Sequence, residues 1–182
     1  MILNAKNNAF VFTLPKGFIS DKLEDKYSFY LKRLPTPFDT ISTYLSHTIQ
    51  SVTFPQVSAT PVEQTLDKVP QYYRQSFDIE RLISKEFTVN FKLADGYLNY
   101  WILFEQFMEN MQMTKKTPEY SPDMNLRFLD RDGYQLVSVN FVQPFILNID
   151  SIDMSYASVG YEFKTFGMTF KYNQFKINVD LD

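Results

Sequence analysis

The residues able to do chemistry are few. His47 is the only imidazole, and the chain contains no cysteine. Disulfides, thiolate nucleophiles, iron–sulfur clusters, cysteine-based zinc sites and multi-histidine metal sites are therefore excluded within one chain. A catalytic triad needs a base, a nucleophile and an orienting acid that converge. The flanks of His47, Ser46 and Thr48, nominate none, so it reads as a structural or exposed histidine. Glu105 and Glu109 are four apart and share one face of a helix. Paired carboxylates suit acid–base work, but a wide aromatic stripe occupies the other side of that helix, so the pair reads as a solvated face. Asp130-Arg131-Asp132-Gly133 opens like a calcium loop, then continues Tyr134-Gln135-Leu136-Val137 without the later acidic ligands or the closing Glu. A hairpin turn is the simpler reading. Tyr72 and Tyr73 beside Arg74 have the rings to stack on bases. One basic residue is a thin electrostatic footprint, and Tyr is enriched at protein contacts. There is no Gly-rich phosphate loop, GxSxG elbow or Walker lysine. No catalytic, cofactor or metal site is expected.

The elements that would position any site follow from composition and period. The chain has 182 residues, 45% of them hydrophobic, enough for one domain over residues 1–182 with a sizeable core. Eighteen basic and 21 acidic residues leave a formal charge of −3. That excludes a dedicated nucleic-acid binder with a basic face and an electrostatic membrane-surface protein. No run reaches the apolar length of a membrane helix, so no membrane insertion is expected. The start lacks the order that marks a secretion signal, which points to synthesis in the cytoplasm. With 18 Phe and 12 Tyr the chain leans towards β structure.

Phe10 to Leu14 reads as a first strand, stopped by Pro15 and Gly17. Ser20 to Lys26 reads as a loop or short helix, and Ser28 to Leu34 as a second strand. Thr36 suits an N-cap with Pro37 at the first helical position, so a short helix is expected over about 37–47. Thr48 to Phe54 returns to strand character. Between about 55 and 84 the prolines Pro55, Pro61 and Pro70 break regular pairing. Val57 to Thr60 and Gln71 to Phe77 are strand-like, and Thr65, Asp67 and Lys68 suit a turn. This segment reads as a long protruding hairpin or extended loop whose Ser, Thr, Gln and Tyr suit contact with something other than its own core.

Glu86 to Leu93 alternates without error, with Phe87, Val89 and Phe91 on one face. Asp95 suits a cap for a helix over about 96–111. Trp101, Phe104 and Met108 follow its period and are expected to face the core, with the helix lying across a sheet. Met124 to Val142 reads as a hairpin turning at Asp132-Gly133 through a type I′ turn. Tyr161 to Ile177 reads as one last long strand with a bulge near Thr165. From there Phe166, Met168, Phe170 and Tyr172 share the inward face. These elements make an α+β domain of mainly antiparallel strands.

From Phe141 onwards the sequence resembles the C-terminal part of tail tube proteins of contractile-tailed bacteriophages. The residues that carry this are Pro144-Phe145-Ile146-Leu147-Asn148-Ile149, Ile152-Asp153-Met154-Ser155-Tyr156 and Thr165-Phe166-Gly167-Met168-Thr169-Phe170-Lys171-Tyr172. Gln143 before Pro144 departs from the aromatic-or-Leu-Pro form of that family's turn. Phe10 to Leu14 resembles the first strand, and Thr53-Phe54-Pro55 leading to Pro61 the turn before the long hairpin. Phe87 to Leu93 followed by Gly96 to Met111 resembles the strand-then-helix unit.

The resemblance implies a β-sandwich or barrel-like core with a helix at its side. It implies a virion protein, made in the host cytoplasm, whose hexameric rings stack into a tube. Long hairpins of neighbouring subunits combine there into an inner barrel, inside a sheath and above a baseplate. DNA passes through the lumen without specific binding. On this reading Val57, Thr60, Gln64, Tyr72, Tyr73, Arg74 and Phe77 are the subunit interface. The segment Phe18 to His47 is longer than in the plain tube subunit, so a tube-initiator or tube-terminator subunit is the alternative. A ligand-binding β-barrel, with aromatics around a pocket, is the rival from another class. An enzyme is the third.

Overall fold

The computed structural model describes residues 9–58, 61–66, 69–73, 85–111, 121–154 and 164–179. Its elements in chain order are β1 (Phe10–Thr13), α1 (Asp21–Leu31), α2 (Ile41–Thr48), β2 (Ile49–Thr53), β3 (Val62–Leu66), β4 (Val69–Tyr73), β5 (Glu86–Lys92), α3 (Leu98–Met111), β6 (Met124–Leu129), β7 (Gln135–Val142), β8 (Phe145–Ile149), β9 (Thr165–Lys171) and β10 (Gln174–Val179). Every strand pair is antiparallel. The strands form two four-stranded sheets, β1-β6-β7-β10 and β2-β5-β9-β8, and a separate two-stranded ribbon, β3-β4. Neither large sheet closes on itself. The fold is α+β.

Period-two alternation builds the core. Phe87, Val89 and Phe91 of β5 are buried, as are Phe166, Met168 and Phe170 of β9 and the following Tyr172. Their register places Phe87 opposite Phe170 and Phe91 opposite Phe166, with both ring pairs stacked. The apolar face of the first sheet meets this layer. Phe141 of β7 stacks on Phe87 at 4.1 Å between centroids, and Phe12 of β1 meets the same ring edge-on at 6.2 Å. Such aromatic pairs each add about 0.5–1.5 kcal/mol beyond the area they bury.

Several elements differ from the sequence expectation. The expected strand over Ser28 to Leu34 is instead the last turn of α1, to Leu31, and the turn that follows it, because Leu23, Tyr27 and Leu31 recur every four residues and are all buried. Phe29 and Tyr30, which suggested a strand, point away from the core. The next helix starts at Ile41, and its cap is Thr40 rather than Thr36: the Thr40 hydroxyl accepts from the Thr43 amide at 3.2 Å. The last long strand is two strands. β9 belongs to one sheet and β10 to the other, and the chain crosses between them at Tyr172-Asn173. The residues 161–163 lie outside the described ones. The β6–β7 turn is longer than two residues, since Leu129 pairs with Gln135. Of Asp132 and Gly133 only Gly133 has a positive φ, at 91°, which excludes type I′.

The buried stripe of α3 is also not the expected one. Asn99, Ile102, Leu103 and Gln106 face inward, whereas Trp101 and Met108 are exposed and Phe104 is half-buried. The reason is that two amides in the stripe hold backbone. Asn99 Nδ2 donates to the Lys92 carbonyl at 2.7 Å, and its Oδ1 accepts from the Ala94 amide. Gln106 Oε1 accepts from the Ser20 amide at 3.0 Å. Buried polar groups persist only when so satisfied. α3 meets the second sheet through Tyr100, whose ring is edge-on to Phe166 at 5.1 Å.

Candidate assembly surfaces

Among the described residues, none of the sequence's candidate chemical groups converge on one another as a catalytic site would require. His47 lies in the last turn of α2, exposed, its ring 5.3 Å from that of Phe38. It lines a cavity of about 420 Å³ with Leu34, Phe38, Tyr44 and Asp95. Asp95 does not cap a helix. It lies in a left-handed turn with Gly96 and Tyr97 (φ 49°, 68° and 68°) and accepts from the Tyr44 hydroxyl at 3.0 Å. Burial first, then the Asp95 carboxylate, pushes the Tyr44 hydroxyl well above its ordinary range. Glu105 and Glu109 are not a free solvated pair. They hold Lys26 and Lys22 of α1 at 2.6 and 2.8 Å. Glu109 also accepts from the Ser20 hydroxyl at 2.7 Å. The Asp130 carboxylate accepts from the amides of Asp132 and Tyr134, both at 2.8 Å, and so shapes the β6–β7 turn. Among the described residues no three His, Asp or Glu side chains cluster as metal ligands would.

Two surfaces stand out. One is the β3–β4 ribbon. Val62 pairs with Tyr73, Glu63 with Tyr72 and Gln64 with Gln71. Gln64, Tyr72 and Tyr73 are exposed on it, and Val57 is exposed on the approach to it. Thr60, Arg74 and Phe77 lie outside the described residues. A two-stranded ribbon standing alone is marginal in water.

The other is the outer face of the β2-β5-β9-β8 sheet, to which the period of the closing strand assigns Thr165, Gly167, Thr169 and Lys171. Alternation that sends Phe and Met inward sends Ser, Thr and Asn outward. Asn90 Nδ2 donates to the Ser51 hydroxyl at 3.0 Å, and Thr88 and Thr169 share a hydroxyl–hydroxyl bond of 3.0 Å. Lys171 and Glu86 pair across the strands at 3.4 Å. The Asp150 carboxylate lies over Gly167 and accepts from its amide at 3.0 Å. A Cβ on Gly167 would stand 2.5 Å from that oxygen, so the residue must be glycine for the carboxylate to reach it. Apart from the half-buried Phe145 and the exposed Leu147, both on the edge strand β8, the face is polar. Among the described strands, both lateral edges, β2 and β8, lack a partner on their far side. The signal was present in the sequence as the residues between the Phe and Met positions of two strands.

No protein-family model matches the chain. No curated protein matches it either. Solved structures do. A chain of the anti-feeding prophage tube-terminating cap is 11% identical, with a TM-score of 0.55 over 99% of this chain and 94% of that one. A chain of the extended sheath–tube complex of PVC, an extracellular contractile injection system, is 12% identical, with a TM-score of 0.55 over 97% and 93%. A chain of the anti-feeding prophage baseplate is 9% identical, with a TM-score of 0.53 over 98% of both. Spanned almost end to end by chains of a cap, a sheath–tube complex and a baseplate, this protein has the fold of those component chains.

Proposed function

We propose that this chain is a structural subunit that self-assembles into stacked rings, hexameric in the first instance, forming the tube of a contractile phage tail. The whole chain, residues 1–182, acts as one tail-tube-like unit with its assembly hairpin at about 55–84. The observation that carries this is the polar outer face of the β2-β5-β9-β8 sheet between two unpartnered edges. Pairing β2 of one copy with β8 of the next removes both edges, which otherwise invite uncontrolled association. A rotation that closes makes a ring. The polar face then lines the lumen. Thr88, Thr169, Asn90 and Ser51 offer a hydroxyl and amide surface, and Glu86 and Lys171 neutralise each other. Such a wall lets DNA pass without holding it, in keeping with a chain charge of −3. A sheath and a baseplate are the partners of such a tube, and the tail of the virion is its location. Neither role asks for a catalytic group.

Negative-stain microscopy of the purified chain tests this. Rings or tubes with a central channel are expected. A particle that stays monomeric across concentration overturns the reading, as does salt-sensitive DNA binding at micromolar concentration.

A further inference from the structure

Three stretches far apart in the chain meet around the cavity of about 420 Å³ beside the end of α2. The segment after α1 supplies Leu34, Thr36 and Phe38, α2 supplies Tyr44 and His47, and the turn after β5 supplies Asp95. The volume lies within the roughly 300–1,000 Å³ of small-molecule sites. Its apolar lining is largely aromatic. The Phe38 ring lies 5.4 Å from that of Tyr44 and 5.3 Å from that of His47. Tyr44 is buried and Phe38 half-buried, and the Phe38 amide donates to the Leu31 carbonyl at 3.4 Å, which ties this wall to the end of α1.

One acid enters this aromatic setting, and the fold holds it there. Asp95, Gly96 and Tyr97 all have positive φ, at 49°, 68° and 68°. Two of the three are not glycine, and such backbone persists only where the surrounding structure holds it, commonly at ligand sites. Here the Tyr44 hydroxyl donates to Asp95 Oδ2 at 3.0 Å. Asp95 Oδ1 has no donor among the described residues, and no Lys or Arg of theirs lies within ion-pair distance of it. The ring nitrogens of His47 and the Thr36 hydroxyl likewise have no hydrogen-bond partner among them. Arg33, just before Leu34, holds its guanidinium 3.9 Å over the Phe29 ring instead.

We propose that this cavity binds a planar N–H cation, a guanidinium or amidinium on a short apolar body, between the Phe38 ring and the Asp95 carboxylate. Such a group is flat and weakly hydrated, so it stacks on an aromatic face, and its fork of N–H donors matches a carboxylate. The His47 imidazole and the Thr36 hydroxyl supply acceptors for the remaining N–H groups. Leu34 and Tyr44 cover the apolar body. An alkylammonium is compact and strongly hydrated and gains less from the same walls. An anion is repelled by Asp95. The site is independent of the tube reading.

Phenylguanidinium and phenylurea share a shape and differ in charge, so the pair tests the site on the unmodified chain. Saturation-transfer NMR observes the ligand and reads both affinities whether the full chain is monomeric or assembled. Phenylguanidinium is expected to bind about fivefold more tightly than phenylurea, the scale of an exposed ion pair. Asp95→Asn keeps an acceptor for the Tyr44 hydroxyl and a residue type that tolerates positive φ. It is expected to abolish the fivefold preference and leave phenylurea unchanged. Asp132→Asn removes an exposed acid from the other Asp-Gly turn and is expected to change neither affinity. N-acetyl-arginine amide stands for an arginine carried on a chain. Tighter binding than phenylguanidinium assigns the site to such a side chain, weaker binding to a free small molecule, and both keep the cation site. Equal affinities for phenylguanidinium and phenylurea, a preference that survives Asp95→Asn, or binding of neither compound overturns the proposal and leaves the tube reading standing. Failure of the chain to assemble overturns the tube reading and leaves this site standing.

Discussion

Asn173 Nδ2 donates to Gln143 Oε1 at 3.0 Å, and this contact joins the two places where the chain crosses between sheets. Gln143 separates β7 of the first sheet from β8 of the second. Asn173 separates β9 of the second from β10 of the first. The Asn173 amide also donates to the Val142 carbonyl, and the Gln143 amide to Asp123 Oδ1, both at 3.1 Å. Gln143 sits at φ 53°, a conformation that favours glycine. Gln143→Ala is expected to cost about 1 kcal/mol through the lost side-chain bond. Gln143→Gly is expected to cost about 0.5–1 kcal/mol less than Ala, because it relieves the left-handed backbone. Urea unfolding of both variants measures the difference, and the reverse order would deny the strain.

Phe170 and Trp101 separate core from surface. Phe170 is fully buried and packs on Phe87 and on Phe18. Phe170→Ala is expected to cost about 3–5 kcal/mol, a large part of a total of about 5–15 kcal/mol. Trp101→Ala is expected to cost under about 1 kcal/mol, and Thr169→Ala about the same, by thermal or urea unfolding. A folded, stable Phe170→Ala would shift the register of β9 by one residue and reverse its faces.

Gly167 and Asp150 form a coupled pair on the polar face. Gly167→Ala places a methyl where the Asp150 carboxylate lies and displaces it. About 1–2 kcal/mol is expected, by loss of the bond to the Gly167 amide. In an Asp150→Ala background the same substitution is expected to cost much less. A double-mutant cycle on urea midpoints reads the coupling, and strictly additive effects would exclude it.

Alkaline pH acts through Tyr172. Burial pushes its hydroxyl from the ordinary 10.0 up to about 12. The folded state holds the proton more tightly, so its contribution is complete below about pH 10 and is lost as pH rises through about 12. Tyr172→Phe is expected to flatten part of that decline. Tyr44, shifted the same way, maintains the rest. Thermal midpoints between pH 8 and roughly pH 12 test this, and identical slopes for variant and parent would refute it.

Acid acts at the α1–α3 seam. Lys22 first, then Ser20, hold the Glu109 carboxyl below its ordinary 4.5. A lowered folded value means stability that is present above pH 4.5 and lost as pH falls through the folded value. Glu109→Gln is expected to remove that part of the acid dependence and, in high salt, to differ little from the parent. Melting curves from pH 3 to about pH 6 distinguish the two.

Local period made β5 and the first part of the closing strand readable from the chain alone. Side chains that alternate every second residue need no distant partner to declare a face, and Phe87, Val89, Phe91, Phe166, Met168 and Phe170 do so. The short resemblance motifs after Phe141 pointed to the fold the structure shows. Where an element's buried side depended on what packs against it, the same local reading turned the wrong way. Phe29 and Tyr30 drew attention as strand residues while Leu23, Tyr27 and Leu31 built a helix. Trp101 and Met108 outweighed Asn99 and Gln106 on hydropathy, yet the amides are inside because they satisfy the backbone of Lys92, Ala94 and Ser20. The division of the last strand rests on contacts with β7 and with the Gln143 corner, far away in sequence. Pairing of that kind is decided by tertiary packing, because a strand's own residues state which side is apolar but not which sheet will cover it.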